Sequence, residues 1–381
     1  MVVRRETTSQ VQRPGMIDVS PSDHSSDDIS KASSRRSSLS RGQATIIDVA
    51  HTAGVSIKTV SRVLNREKNV SPETRAHVLA AAASLNYTPN VSARSLAGAR
   101  SYLIALLYDN PSAAYIADLQ AGAFSACRSG GYHLVVEPFD STGPAVEQAV
   151  SDLVVKLRTD GLILTPPLSD NPAVLDALDR LGAPYIRIAP GAWLERGATV
   201  SIDDHGATLE LTRMLIRDGH RRIGFVEGHP DHGASRVRRD GFLAAHREFG
   251  LTPDPELIAP GQFSFLSGVD AGSRLLEREG RPSAIFACND DMALGVMSVA
   301  NRLGLSMPAQ LSVAGFDDTP TARVVWPQLT TVRQPVAQMA ATATQMLIEG
   351  ATGQKAEHRQ LDFEIILRGS TGQGPYLGVG F

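Results

Sequence analysis

From Arg100 onward the chain alternates short runs rich in aliphatic and β-branched residues with stretches of helical periodicity, and few folds accept that pattern. The strand candidates are Leu103 to Leu107, Leu134 to Val136, Leu162 to Leu164 and Tyr185 to Ile188, followed by Ile223 to Val226, Ala284 to Ala287 and Ser312 to Ala314. Strands separated by helices must run parallel, with helices covering both sheet faces. Seven or more such units over roughly 270 residues fit two sheets better than one. At 381 residues the chain exceeds one ordinary domain, and its 42% apolar content can build a large core.

The segment before Arg100 follows a different rule. Ile46, Val49, Ala50 and Ala53 recur at helical spacing, and Thr45 with Asp48 three residues on reads as a capping box. That short helix ends at Gly54. Ser56 caps a second helix with Val60, Val63 and Leu64 on its inner face, and Ser71-Pro72 opens a third with Val78, Ala82 and Leu85 inward. A tight Gly54-Val55 turn joining two short helices is helix-turn-helix geometry, in which the second helix enters the major groove. Its outer face carries Ile57, Lys58, Ser61 and Arg62. Arg62 and Lys58 suit guanine O6 and N7, and Ile57 suits a thymine methyl.

Charge divides along the same line. Residues 1–43 carry +2, residues 44–100 carry +4, and the rest holds 23 basic against 32 acidic residues, or −9. A basic front on an acidic body places the polyanion at the front. Ten serines among residues 20–40, with hardly any large apolar residue, predict a disordered tail over 1–43. Cys127 and Cys288 lie far apart in apolar stretches, a spacing that predicts two buried thiols and neither a metal site nor a disulfide. No run of 18 apolar residues and no apolar leader segment occurs, so a cytoplasmic protein with no membrane contact is expected.

The run through Val-Ser-Pro-Glu-Thr-Arg75 and Leu-Asn-Tyr-Thr-Pro-Asn90 to Ala-Arg-Ser-Leu-Ala-Gly98 resembles the LacI/GalR headpiece. The resemblance continues at Ile-Arg-Asp-Gly-His-Arg-Arg-Ile-Gly-Phe225, Phe-Ala-Cys-Asn-Asp-Asp-Met-Ala-Leu-Gly295, Ser-Val-Ala-Gly-Phe-Asp-Asp318 and Trp-Pro-Gln-Leu-Thr-Thr-Val-Arg-Gln-Pro335. It implies a small all-α helix-turn-helix headpiece (44–90), a hinge helix (91–98), a two-lobed α/β core like a periplasmic binding protein with parallel sheets (99–370), and a C-terminal tail (371–381). DNA contacts are then expected from Thr45, Ser56, Ile57, Lys58, Ser61, Arg62 and Asn65. In the hinge they are expected from Asn90, Ala93 and Leu96, where Leu96 matches the family's minor-groove lever, an apolar wedge that kinks a base step.

In the core the resemblance implies a ligand between the lobes at the carboxyl ends of strands. Arg238, Asn289 and Asp317 match the polar contacts, and Phe263 and Tyr115 the apolar walls. An Arg, an amide and a carboxylate together satisfy the donors and acceptors of a hydroxylated ligand. Ala189 stands where some sugar-binding relatives carry an acid, which leaves the ligand's identity open. Arg187 offers a contact to an anionic ligand, but an Arg in a strand more often snorkels to the surface, and that is the expectation.

No Gly-x-Ser-x-Gly, His-Glu-x-x-His or Cys-x-x-Cys motif occurs. Gly228 to Ser235 resembles a phosphate loop but carries Ala234 where the lysine must be, and His229 with His232 lacks a third metal ligand, so both histidines are expected to be polar loop residues. The expected protein is therefore a repressor-like regulator without enzyme activity, cofactor or metal. Its expected partners are near-palindromic operator DNA, a sugar-like effector and a second copy, as a homodimer or homotetramer. A solute-binding protein built on the same core, and a regulator answering a nucleobase co-repressor, are the alternatives.

Overall fold

The computed structural model describes residues 44–64, 69–87, 100–143, 145–350 and 357–375. The expected tail (1–43) and hinge helix (91–98), and with them Asn65, Asn90, Ala93 and Leu96, lie outside the described residues. The chain divides into two compact units between Pro89 and Asn90.

The first unit holds helices α1 (Ile46–Thr52), α2 (Ile57–Leu64) and α3 (Pro72–Ser84). Each start has its physical cause in a side chain. The Thr45 amide donates to Asp48 Oδ2 at 2.7 Å while Asp48 returns its amide to Thr45 Oγ1 at 3.4 Å, the reciprocal pair of a capping box. The Ser56 hydroxyl accepts the Thr59 amide at 3.1 Å, and the Ser71 hydroxyl accepts the Thr74 amide at 3.2 Å ahead of Pro72. Gly54 turns the chain at φ +61°, a conformation glycine adopts without penalty. Val49, Ala50, Ala53, Val60, Val63, Val78, Ala81 and Ala82 form the core, and these short side chains let three helices approach closely.

The second unit contains two six-stranded sheets. In the first lobe β1 (Leu103–Tyr108), β2 (His133–Pro138), β3 (Gly161–Leu164), β4 (Tyr185–Ile188), β5 (Ala198–Ile202) and β11 (His358–Leu361) lie in the order β11-β5-β4-β3-β1-β2. All of these pairs are parallel. The helices of this lobe are α4 (Ala113–Gly130), α5 (Val146–Leu157), α6 (Pro172–Leu181) and α12 (Val336–Glu349). In the second lobe β6 (Ile223–Val226), β7 (Ile258–Ala259), β8 (Ala284–Ala287), β9 (Ser312–Asp317), β10 (Thr330–Arg333) and β12 (Glu364–Ile366) lie in the order β12-β10-β9-β8-β6-β7. Only β10 and β12 pair antiparallel there. Its helices are α7 (Asp204–Arg217), α8 (Gly233–Glu248), α9 (Phe265–Leu276), α10 (Asp290–Arg302) and the short α11 (Pro320–Val324).

The chain passes between lobes three times: after β5, after β10 and between β11 and β12. Central strands are buried on both faces, which explains their continuous apolar runs. Phe225, Phe242 and Phe286 fill the second lobe, with Phe225 stacked on Phe242 at 4.7 Å and edge-on to Phe286 at 5.7 Å. Cys127 and Cys288 are buried free thiols, and burial pushes them up to about 11 and about 12. Residues 371–374, expected as the start of a tail, are bonded to the second lobe: Gly372 donates to Ser312 Oγ at 3.1 Å and Gly374 to the Asp218 carbonyl at 2.6 Å.

Candidate functional site

In the first unit, Ile57, Lys58 and Arg62 are exposed on α2 and Ser61 is half-buried, while Val60 and Val63 face the core. Thr45 and Ser56 are exposed at helix starts, with their hydroxyls already bonded to Asp48 and Thr59. Helical spacing alone produces this division, since residues three and four apart share a face.

In the second unit, a narrow cleft open to solvent is lined by all five core residues singled out from the sequence: Tyr115, Arg238, Phe263, Asn289 and Asp317. Asn110, Ser112, Pro166, Ala189, His232, Ala234 and Gln334 complete the lining. The topology accounts for the convergence. Tyr115 sits at the start of α4 beyond β1, and Pro166 and Ala189 follow β3 and β4. Asn289 follows β8, Asp317 ends β9, and Arg238 lies on α8 beyond β6. These are the carboxyl ends of strands in both lobes, where open α/β sheets bind ligands.

Arg238 is held from behind. Its Nε donates to Asp204 Oδ1 at 2.8 Å, its Nη1 to the Cys288 carbonyl at 2.5 Å, and its guanidinium lies 3.5 Å from the Phe316 ring centre. Burial opposes its charge, but Asp204 and Asp317 outweigh burial and raise its pKa. Two of five N–H donors are thus used. Asp317 accepts from Gln334 Nε2 at 2.6 Å, and burial, only partly offset by Arg238, holds its carboxyl well above the usual range. Asn289 spends its Oδ1 on capping α10, accepting the Met292 amide at 2.9 Å, and donates Nδ2 to the Phe263 carbonyl at 2.9 Å. That bond anchors Phe263 at φ +56°; Ala189 (φ +46°) and Asp317 (φ +120°) are likewise left-handed. Such conformations cost of order 1 kcal/mol or more each and concentrate where geometry serves a ligand.

Tyr115 is buried, and burial with the nearby Asp317 raises its hydroxyl far above its ordinary value. The His232 ring packs tilted against Phe263, with ring centres 5.0 Å apart; burial, with His229 beside it, lowers its pKa to about 4, so the ring is neutral. His232 therefore corrects the expectation of a polar loop residue: it is 5% exposed and part of the wall. Among the described residues no group of three or more His, Cys, Asp or Glu could hold a metal ion.

Sequence reasoning missed two further groups. Gln334, in the second interlobe crossover, holds Asp317, and Asp204, at the first, holds Arg238. Each pairing spans residues distant in the chain, so no local spacing announces it. Arg187 reverses its expectation: it is fully buried, and its five N–H donors bond the carbonyls of Ser169, Ala192, Trp193 and Arg196 and the Asp170 carboxylate. With a carboxylate and four carbonyls in reach, staying inside satisfies every donor, which snorkelling would not.

Comparisons with known proteins agree with this architecture. Residues 45–90 match the bacterial regulatory proteins of the lacI family, and residues 212–371 match the periplasmic binding protein-like domain. The HTH-type transcriptional regulator GalS of Salmonella typhimurium is 36% identical over 312 residues, covering 81% of this chain and 90% of GalS. The HTH-type transcriptional repressor PurR of Pectobacterium carotovorum is 33% identical over 341 residues, covering 88% and 98%. Among solved structures, the lac repressor dimer bound to operator and the anti-inducer ONPF has a TM-score of 0.72 at 30% identity, covering 87% of this chain and 99% of that one. The complex of the transcriptional regulator CelR with cellobiose has a TM-score of 0.66 at 30% identity, covering 86% and 100%. No described helix is long and apolar enough to cross a membrane. The chain belongs to the LacI family of bacterial regulatory proteins: it is a DNA-binding transcription regulator with a ligand-binding unit, not an enzyme.

Proposed function

We propose that the interlobe cleft takes a hydroxylated small molecule, a carbohydrate or derivative, and that its occupancy sets the affinity of the headpiece for operator DNA. One observation carries this reading. A guanidinium, a carboxyl and an amide from Arg238, Asp317 and Asn289 converge on one cleft beside the Phe263 ring, and two of them are held by interlobe crossover residues. Polyols need several donors and acceptors at once plus a flat apolar face for the ring. The buried Ser112 hydroxyl in the same lining has no protein partner among the described residues, as expected of a group that meets a ligand. CelR in complex with cellobiose supports a saccharide in this place.

On the DNA side, Lys58, Arg62 and Ile57 are the base-reading residues, with Thr45, Ser56 and Ser61 beside them, and Asn65, Asn90, Ala93 and Leu96 continue the interface. Residues 44–90 serve as headpiece, 91–98 as hinge and 99–370 as the effector unit. The protein works as a dimer in the cytoplasm, where its DNA is. The operator-bound lac repressor dimer supports the two-fold arrangement, which demands two half-sites.

The test is a thermal-shift screen of sugars and nucleobases against the full chain. A ligand at about 100 times its Kd stabilises by about 2.7 kcal/mol, enough to read directly. Stabilisation by a sugar, abolished in Arg238→Ala and Asp317→Ala, is the expected result. A response to nucleobases alone replaces the carbohydrate with a nucleobase co-repressor, and a response that survives both substitutions places the ligand elsewhere.

A further inference from the structure

The cleft is bridged by more than the three crossovers. Gly191, in the first-lobe loop after β4, and Gly233, the first residue of α8 in the second lobe, meet backbone to backbone. A Cβ on Gly191 would lie 2.3 Å from Gly233 Cα, and one on Gly233 would lie 2.4 Å from Gly191 Cα and 2.5 Å from Asp170 Oδ2. Neither position has room for any side chain. Arg236, one turn along α8, donates Nη2 to the Gly191 carbonyl at 2.8 Å, adding a hydrogen bond between lobes.

The first-lobe side of this contact is rigidly built. Asp170 accepts the Gly191 amide at 2.9 Å and the Ala192 amide at 3.1 Å, and Arg187, with all its donors used, ties Asp170 to the carbonyls of Ala192 and Trp193. The carboxylate that lies against Gly233 thus also stands at the amino end of a 16-residue helix, where negative charge is favourable. Flanking residues reach the cleft itself: Ala189 lies two positions before Gly191, and His232 and Ala234 bracket Gly233, all three in the lining.

We propose that Gly191, Gly233, Arg236 and Asp170 form an interlobe latch that holds the cleft closed through protein contacts alone, so that a ligand enters only when the latch parts. The proposal rests on the cleft being the effector site only for its regulatory meaning; the latch itself is a property of the two lobes. A single methyl group at either glycine would prevent this approach, so the contact forms only with the lobes drawn together, and the latch biases the lobes towards that closed arrangement.

The experiment measures lobe separation in the full-length protein without added small molecule. Spin labels are placed at Ala149→Cys in the first lobe and Asp240→Cys in the second, both exposed positions, and labelled chains are mixed with excess unlabelled protein so that only distances within a chain are read. Native Cys127 and Cys288 are buried and do not label. The parent should give one narrow distance distribution from pulsed electron resonance. Gly233→Ala and Gly191→Ala should shift it by several ångströms, and Arg236→Ala, a surface change that leaves folding untouched, should broaden it towards the same open position. Distributions identical to the parent's in Arg236→Ala and in folded Gly233→Ala would overturn the latch. If these variants open while no sugar or nucleobase binds the parent, the latch stands and the effector reading of the cleft falls; if ligands bind but the variants stay closed, the reverse holds.

Discussion

Replacing Arg187 by methionine tests whether the buried guanidinium is structural, and the size of its effect can be worked out beforehand. The substitution keeps most of the side-chain volume, so little of the change comes from a cavity. What it removes is a charge pair with Asp170 at 3.0 Å, with side chains 0% and 9% exposed, together with the hydrogen bonds that close the loop from Ser169 to Arg196. Breaking one member of a buried pair costs about 3–5 kcal/mol, because the remaining charge stays buried without its partner. For a unit of this size about 2–4 °C of melting temperature goes with each kcal/mol, so the core transition should fall by about 10 °C in scanning calorimetry. Adding Asp170→Asn should recover part of that loss, since the single amide oxygen in the Oδ1 position is within 3.1 Å of both the Gly191 and Ala192 amides and no unpaired charge remains. A melting temperature for Arg187→Met within about a degree of the parent would refute the reasoning.

Four other outcomes are expected. Arg62→Ala should weaken operator binding by about 1–3 kcal/mol and spare random DNA; equal losses on both duplexes in a gel-shift titration would reduce Arg62 to a phosphate contact. Ser71→Ala should destabilise the headpiece by about 1 kcal/mol through loss of the α3 cap, read by chemical denaturation of its helical signal. Leu96→Ala should weaken operator binding while leaving effector affinity of the DNA-free protein unchanged, and Asp317→Ala the reverse, which paired titrations separate. Burial lowers the pKa of His232 to about 4, so between about pH 6.5 and 4 the unfolded state binds the extra proton. Its contribution to stability is full above about 6.5 and falls by up to about 1.4 kcal/mol per pH unit on acidification. His232→Gln should flatten the melting profile in that window, although His220 and His246, also lowered by burial, keep part of the slope.

Local signals were legible because they act locally. The Thr45–Asp48 box and the Ser71-Pro72 start each need only residues three apart, and the structure forms both. Apolar central strands announced themselves by their runs. β11, His358–Leu361, did not: as a sheet edge with alternating exposure it carries polar residues. β10, Thr330–Arg333, is a short run ending in a charged residue, and β5, Ala198–Ile202, is interrupted by small polar side chains. In the cleft, family resemblance located the five residues, but it said nothing of what holds them. The Gln334–Asp317 and Asp204–Arg238 pairs join segments distant in the chain, and the buried Arg187 network is determined by which carbonyls the folded loop presents. Such contacts follow from topology, and no periodicity encodes them.

The central claim is that cleft and headpiece share one equilibrium. It is tested by titrating the effector found in the screen against the parent protein with and without saturating operator, and operator with and without saturating effector. Linked sites differ by a coupling of about 1–3 kcal/mol, and linkage requires the same factor in both directions. The account predicts a change of roughly 5–150-fold in effector affinity on adding operator, mirrored in operator affinity on adding effector. Identical effector affinities in the two states would show two independent binding sites on one chain and contradict it.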